Sequence, residues 1–249
     1  MPTAELPARI AILVPMPSEL RPLLKVLPMR KTDLAGIPAH TVTIDGRKVI
    51  AVRTGIGMAG ATRVTEHVLR TTAIDHVVVT GVAGGLAPGL AVRSLIVPEV
   101  VLDGHTGARY SPTPIGNVVA SGTLQTSDEL MIDLAALRAI GDRGITAIDM
   151  ETAAVAAVCE RHGCPWSVFR GISDNARSGA VNDAVLALAH PDGSPNLKAV
   201  ARYLLRRPWR IRQLLALERD TRAAATVAAI AAVEACGFTV VAPGQRKTR

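Results

Sequence analysis

Three short aliphatic runs, each ending where the chain turns, constrain this sequence more than any other feature. They are Ile10 to Val14 (IAILV), His76 to Thr80 (HVVVT) and Trp166 to Arg170 (WSVFR), followed respectively by Pro-Met-Pro-Ser, GVAGGLAPG and GISDNA. Runs of four to eight largely apolar residues bounded by Gly and Pro read as strands covered on both faces. Helical patterns lie between them: one around Glu19 to Val26, one from TGIGMAGA at Thr54 to Ala61 onward to about Thr71, and METAAVAAV running to about His162. The alternating stretches His40 to Ile44 and Lys48 to Arg53, and the run Leu95 to Leu102 (LIVPEVVL), read as further strands. Strands alternating with helices predict an α/β sheet packed on both faces, parallel on this pattern. Functional side chains then belong at the carboxyl ends of its strands.

Composition narrows the class. Of 249 residues, 49% are hydrophobic although Trp, Tyr and Phe number two each, so Ala, Val, Leu and Ile fill the core and a disordered chain is excluded. We read residues 1–249 as a single domain with a basic helical extension at about 196–236 and a loose tail at 243–249. No stretch approaches the roughly 18 apolar residues of a membrane span, and MPTAELPARIAILV has an acid and prolines where a signal peptide needs Lys or Arg. A cytoplasmic protein is expected. Cys159, Cys164 and Cys236 are odd in number and lack CxxC spacing, which points to buried small hydrophobes rather than disulfides or zinc. No metal or cofactor is expected.

The net charge of +7 is concentrated in Arg202, Arg206, Arg207, Arg210, Arg212, Arg219, Arg222, Arg246, Lys247 and Arg249. Without aromatic residues interleaved for base stacking, this describes a solvated helix face rather than a nucleic-acid site. From Asn196 to about Ala235 the pattern is helical, broken at Pro208 and ending near Gly237. Leu204, Leu205, Leu214, Leu215 and Leu217 are expected to pack this segment onto the sheet, with contact to an anionic membrane surface the less favoured alternative. Arg109 to Asn117 (RYSPTPIGN) is the candidate mobile surface loop.

Neither glycine-rich segment carries a specific phosphate signal. GIGMAG lacks the spacing of a dinucleotide fingerprint, and GVAGG lacks the Lys-Ser/Thr of a phosphate loop. Three acids are better placed: Glu19 after the first strand, Glu151 at a strand-to-helix transition and Asp174 past the strand ending at Arg170. Carboxylates at a sheet's carboxyl edge can act as general acid, general base or hydroxyl acceptor. His40, His67, His76, His105, His162 and His190 sit in unrelated contexts, and no nucleophile motif competes.

In this order TGIGMAGA, VVVTGVAGGLAPGLAVRSLIVPE and IDMETAAVAAVCERHGCPWSVFRGISDNA resemble the nucleoside phosphorylase and nucleosidase superfamily, nearest its methylthioadenosine/S-adenosylhomocysteine nucleosidase branch. The resemblance covers about residues 8 to 180. It implies a mixed rather than purely parallel central sheet between helices, a three-layer sandwich, and cleavage of the bond between a purine and a ribose. By the same resemblance Asp174 matches the proton donor to the purine and Glu19 the water-activating base. Glu151 matches the ribose-hydroxyl acceptor, with Met150 packing under the sugar. Arg170 matches the arginine that holds water or ribose, Ala83 and Gly84 line the base, and Ile56 joins the substrate-binding set. Family members are commonly dimers or larger and act on a small nucleoside, so the resemblance implies a homodimer here. Independently, a carboxylate accepting two vicinal hydroxyls makes charge-assisted hydrogen bonds and favours a developing oxocarbenium ion, which suits Glu151.

Departures from the family pattern shape the expectation. Val82 stands where the nucleosidases often have Ser, and Leu130 is what the segment Gln125 to Asp133 offers in place of a stacking Phe. The phosphorylase branch has phosphate-binding arginines where this chain has Ser18 and Val79, which favours water as nucleophile unless Arg21, Arg53 or Arg109 substitutes. The basic tail is similar to that of hopanoid-associated members acting on an adenosyl-lipid. Hydrolysis of a 5′-substituted adenosine is therefore the first reading, a phosphorylase or adenosyl-lipid enzyme the second, and a nucleoside-binding protein without turnover the third.

Overall fold

The computed structural model describes residues 6–128, 133–175, 196, 198–199, 202–203 and 211–240. Its elements are β1 (Arg9–Val14), α1 (Pro17–Val26), β2 (Arg30–Leu34), β3 (Ile37–Ile44), β4 (Arg47–Arg53), α2 (Met58–Thr71), β5 (His76–Gly85), β6 (Leu95–Ile96), β7 (Val100–Asp103), β8 (Arg109–Tyr110), β9 (Thr123–Thr126), α3 (Leu134–Asp142), β10 (Ala147–Asp149), α4 (Thr152–Arg161), β11 (Trp166–Asn175) and α5 (Ile211–Ala235). The strands form one mixed sheet in the order β2-β3-β4-β1-β5-β10-β9-β7-β8, while β11 pairs with β5 and with β6. Parallel pairs β1–β4, β1–β5, β5–β11, β9–β10 and β7–β9 make its centre. The hairpins β2–β3–β4 and β7–β8, and the pairs β5–β10 and β6–β11, are antiparallel. The parallel sheet that the pattern alone suggests is corrected to the mixed one.

Alternation along the strands sends side chains to two cores. Ala11, Leu13, Val77, Val79, Val168 and Ile172 meet Val64 and Val68 of α2 and Ala153 to Ala156 of α4. Ile10, Ile12, Val14, Val78 and Phe169 meet Leu20 and Leu23 of α1 and Ala229, Ala232 and Val233 of α5. The strand residues among them are buried on one face or the other, as two helical layers require.

Some expectations need correction. The run Leu95–Leu102 is two strands, because Pro98 cannot donate to a ladder and separates β6 on β11 from β7 on β9. The 109–117 segment is not loose. Tyr110 pairs with Val101, the Thr113 N–H donates to the Trp166 carbonyl at 2.7 Å, Ser167 Oγ donates to the Thr113 carbonyl at 2.6 Å, and a Cβ on Gly116 would lie 2.7 Å from Ala235 Cα. Helix α5 is held by alanines, not leucines: Ala224, Ala225, Ala228, Ala229 and Ala232 are buried, while Leu215 is 61% exposed and Leu214 and Leu217 are half-buried. Ala224 lies so near Gly171 that a Cβ there would overlap its backbone carbonyl. Leu204, Leu205, Pro208 and the 243–249 tail lie outside the described residues. Cys159 and Cys236 are buried, Cys164 is half-buried, and all three are free. Among the described residues no helix is long and apolar enough to cross a membrane.

Candidate active site

The site originates in a gap along one edge of β5. Strand β1 pairs there only through Val79, and β10 joins only at Gly84. Glu19, in the first turn of α1, reaches into this gap. Its Oε1 accepts the Val82 N–H at 2.8 Å and its Oε2 accepts the Met16 N–H at 2.8 Å. A strand's unpaired amide and a helix's orphan amide thus both end on one carboxylate, an arrangement that satisfies backbone donors and favours an acid near a helix N-terminus. Glu19 is 2% exposed, and burial raises its pKa to about 7 against the opposing pull of Arg170 and the two amides.

Arg170 projects from β11 opposite Gly81 in register. It is 0% exposed, and its guanidinium lies among three carboxylates. Nη2 is 2.6 Å from Asp149 Oδ2 and 3.4 Å from Glu151 Oε2, and Nη1 is 3.9 Å from Glu19 Oε1. Gly81 is where this packing forbids a side chain, since an added Cβ would overlap Glu19 Oε1 and lie 2.5 Å from Arg170 Nη1. Glu151 occupies the N-cap position of α4, and its Oε1 accepts the Gly57 N–H at 3.0 Å. The TGIGMAG segment therefore supplies an amide to Glu151 at the start of α2. Next to it the Met58 N–H donates to Asp128 Oδ1 at 2.7 Å. Burial, then the proximity of Asp149 and Glu19, holds the Glu151 pKa well above the carboxylate range, with Arg170 opposing.

Asp174 stands apart from this cluster. The β5–β11 register slips between Ile172 and Asp174, so Ser173 forms a bulge that brings Asp174 opposite Gly84. Burial raises its pKa, although the Ser173 hydroxyl, donating at 2.6 Å, partly counters this.

Glu19, Glu151, Arg170 and the glycine turn thus meet directly, and Asp174 lies at the end of the strand that carries Arg170. Ala83 is buried on β5, with Val82 and Gly84 half-buried beside it; Met150 is half-buried between β10 and α4, and Ile56 is half-buried between Gly55 and Gly57. Leu130 lies outside the described residues. Val79 is a core residue of β5, and Arg21, Arg53 and Arg109 are exposed. The sequence reading passed over Asp149, Thr126 and Thr152. Thr126 Oγ1 donates to Asp149 Oδ1 at 2.6 Å, the Thr152 hydroxyl donates to Oδ2, and Arg170 Nη2 donates to Thr152 Oγ1 at 3.0 Å. The signal was present in I-D-M-E-T, where an acid two residues before Glu151 and a Thr after it share the strand end.

A mixed sheet between two helical layers, with carboxylates gathered at its strand ends, is the architecture of the phosphorylase and nucleosidase fold. The chain matches the phosphorylase superfamily over residues 9–131 and 115–206, and it belongs to that family. A 5′-methylthioadenosine/S-adenosylhomocysteine nucleosidase of Chromohalobacter salexigens is 31% identical over 199 residues, covering 68% of this chain and 85% of that protein. Among solved structures, a variant Helicobacter pylori nucleosidase with 5′-methylthioadenosine in its active site superposes with a TM-score of 0.68 at 17% identity, covering 92% and 98% of the two chains. A Colwellia psychrerythraea nucleosidase in complex with adenine gives 0.67 at 20% identity, covering 94% and 98%.

Proposed function

We propose that this protein hydrolyses the N-glycosidic bond of a purine nucleoside, a 5′-substituted adenosine of the methylthioadenosine or adenosylhomocysteine type, and releases adenine. The observation that carries the reading is the Arg170 cluster, with Glu19 and Glu151 on either side of one guanidinium and Asp174 separate from both. Departure of adenine requires a proton on the ring and leaves positive charge on the ribose. Asp174, whose proton affinity burial raises, donates that proton. Glu151 accepts the vicinal ribose hydroxyls as its carboxylate, the form that positive charge developing on the ribose favours against the burial that raises its proton affinity. Glu19, near pH 7 in its proton affinity, takes a proton from the attacking water. Met150, Ile56, Val82, Ala83 and Gly84 form the surroundings of sugar and base.

The cluster also bears on the nucleophile. Arg170 is already paired with Asp149 and shared with Glu19 and Glu151, so little positive charge is left to hold a phosphate dianion, whereas neutral water needs none. Hydrolysis is favoured over phosphorolysis on that ground. We further assign the protein to the cytoplasm, in keeping with its three free cysteines, and to a homodimer, on family resemblance.

The test is incubation of the purified protein with methylthioadenosine, adenosylhomocysteine, adenosine and inosine, each with and without phosphate. Free adenine with free sugar, independent of phosphate, is the expected result. Sugar-1-phosphate formed only with phosphate present overturns the hydrolytic assignment, and release of no base from any of them overturns the substrate assignment.

A further inference from the structure

We infer that Asp149 is a positioning residue that holds the Arg170 guanidinium off Glu19 and so leaves Glu19 free to accept a proton. The inference rests on the role proposed for Glu19 and concerns how that role is maintained.

Distances around Arg170 are graded. Its short contact is to Asp149, at 2.6 Å, against 3.4 Å to Glu151 and 3.9 Å to Glu19. Asp149 is itself immobilised from three elements. Thr126 of β9, its register partner, donates to Oδ1; Thr152 at the start of α4 donates to Oδ2; Arg170 of β11 donates to Oδ2 as well. The clamp is tied to α4 once more, because Thr126 Oγ1 accepts the Ala153 N–H at 2.9 Å. Every oxygen of Asp149 is engaged with a donor, so the carboxylate is a fixed anchor that draws Nη2 toward β10. Nη1 and Nε of Arg170, although buried, make no hydrogen bond to the described residues.

Glu19 consequently takes its hydrogen bonds from two backbone amides rather than from the guanidinium. The charged groups that face it are Arg170 from β11, Asp149 from the end of β10 and Glu151 from the start of α4. If Asp149 lost its charge, two effects would act in the same direction. Arg170 would be free to close a two-pronged pair with Glu19, and a nearby negative charge would disappear. Each favours ionised Glu19 and weakens it as a base. A carboxylate locked to an arginine is a structural ion pair, whereas one held by amides at the edge of the pair can exchange a proton.

The full-length Asp149→Asn variant tests this, with Asp149→Glu as the charge-retaining control and circular dichroism and thermal melting to establish folding. Glu19 is followed in the free protein by carboxyl ¹³C NMR titration, its signal assigned by its absence in Glu19→Gln. The pH dependence of kcat/KM for 5′-methylthioadenosine is recorded in parallel. In Asp149→Asn the Glu19 midpoint is expected to fall by about one pH unit or more, the scale on which one neighbouring charge acts. The acid limb of the rate profile follows it, and the plateau rate drops because a weaker base assists less. Asp149→Glu restores both. A lowered plateau with an unmoved Glu19 midpoint and acid limb overturns the inference and leaves Asp149 a structural residue. If Asp149→Asn does not fold, Thr126→Val, which loosens Asp149 without removing its charge, is expected to move the midpoint in the same direction by less, and no movement overturns the inference. Absence of turnover in the wild type would defeat the proposed function, while the NMR titration would still decide the placement of Arg170.

Discussion

Arg170 and Gly171 are neighbours on β11, and they face surroundings of opposite character. Arg170 lies wholly buried among Glu19, Asp149 and Glu151, where three carboxylates and one guanidinium have left water together. Gly171 offers bare backbone to Ala224 of α5, a helix whose buried residues here include Ala225, Ala228, Ala229, Ala232 and Val233. Desolvating an ionic cluster is offset only in part by its internal attractions. Close packing of small apolar residues stabilises through dispersion and removal of apolar surface from water. One face of the strand therefore holds reactivity that costs stability, and the other holds the strand in place while it does so.

Asp174→Asn should separate chemistry from both faces most sharply. Turnover is expected to fall by about 10²- to 10⁴-fold, the usual contribution of a positioned acid, with the melting temperature unchanged or higher. Steady-state kinetics and a thermal melt check it; a variant that still turns over within tenfold of wild type breaks the assignment of the acid. Gly81→Ala attacks the charged face directly, since its methyl intrudes on Glu19 and Arg170. A displacement of about 1 Å there is expected to reduce kcat/KM by roughly 10²-fold, with a smaller effect on melting. Gly171→Ala attacks the apolar face. Its methyl meets helix backbone that cannot rotate away, so a loss of about 1–3 kcal/mol in urea unfolding is expected, with kcat/KM within a few-fold of wild type under native conditions. If Gly171→Ala cost more in rate than in stability, the division of labour between the faces would fail. Arg93→Ala is the smallest. Arg93 links to Asp220 on the exposed side of α5 at 2.5 Å, and such pairs contribute little, so its melting temperature should stay within experimental scatter.

The apolar face was legible in the sequence wherever strands were covered twice. IAILV, HVVVT and WSVFR announced β1, β5 and β11, and the helices before and after them followed from periodicity. β2 (RKTDL) was not legible, because an exposed hairpin strand has no apolar run, and β9 (TLQT) is four residues long with one large apolar side chain. α3 could have been found from Asp133, whose side chain accepts the Ala135 N–H at its N-cap. Strand direction leaves little trace in local periodicity, and the mixed character of the sheet entered only through family resemblance. On the charged face Glu19, Glu151, Asp174 and Arg170 were each named from the sequence, but the full burial of Arg170 and the anchor at Asp149 were not. Those depend on which strand ends come together, and spacing along the chain does not encode it.

Glu19→Gln removes the proposed base from the Arg170 cluster, and its hydrolysis rate and its stability are measured on the same protein. The folded state holds the Glu19 proton more tightly than the unfolded chain, so the stability associated with this group is fully present below about pH 4.5 and is lost as pH rises through about 7. Glu19→Gln is expected to lose about 10²-fold or more in rate while gaining stability relative to wild type as pH is raised from 5 to 8. A variant that keeps its rate, or whose stability relative to wild type falls over that range, would contradict the role of Glu19 as the base.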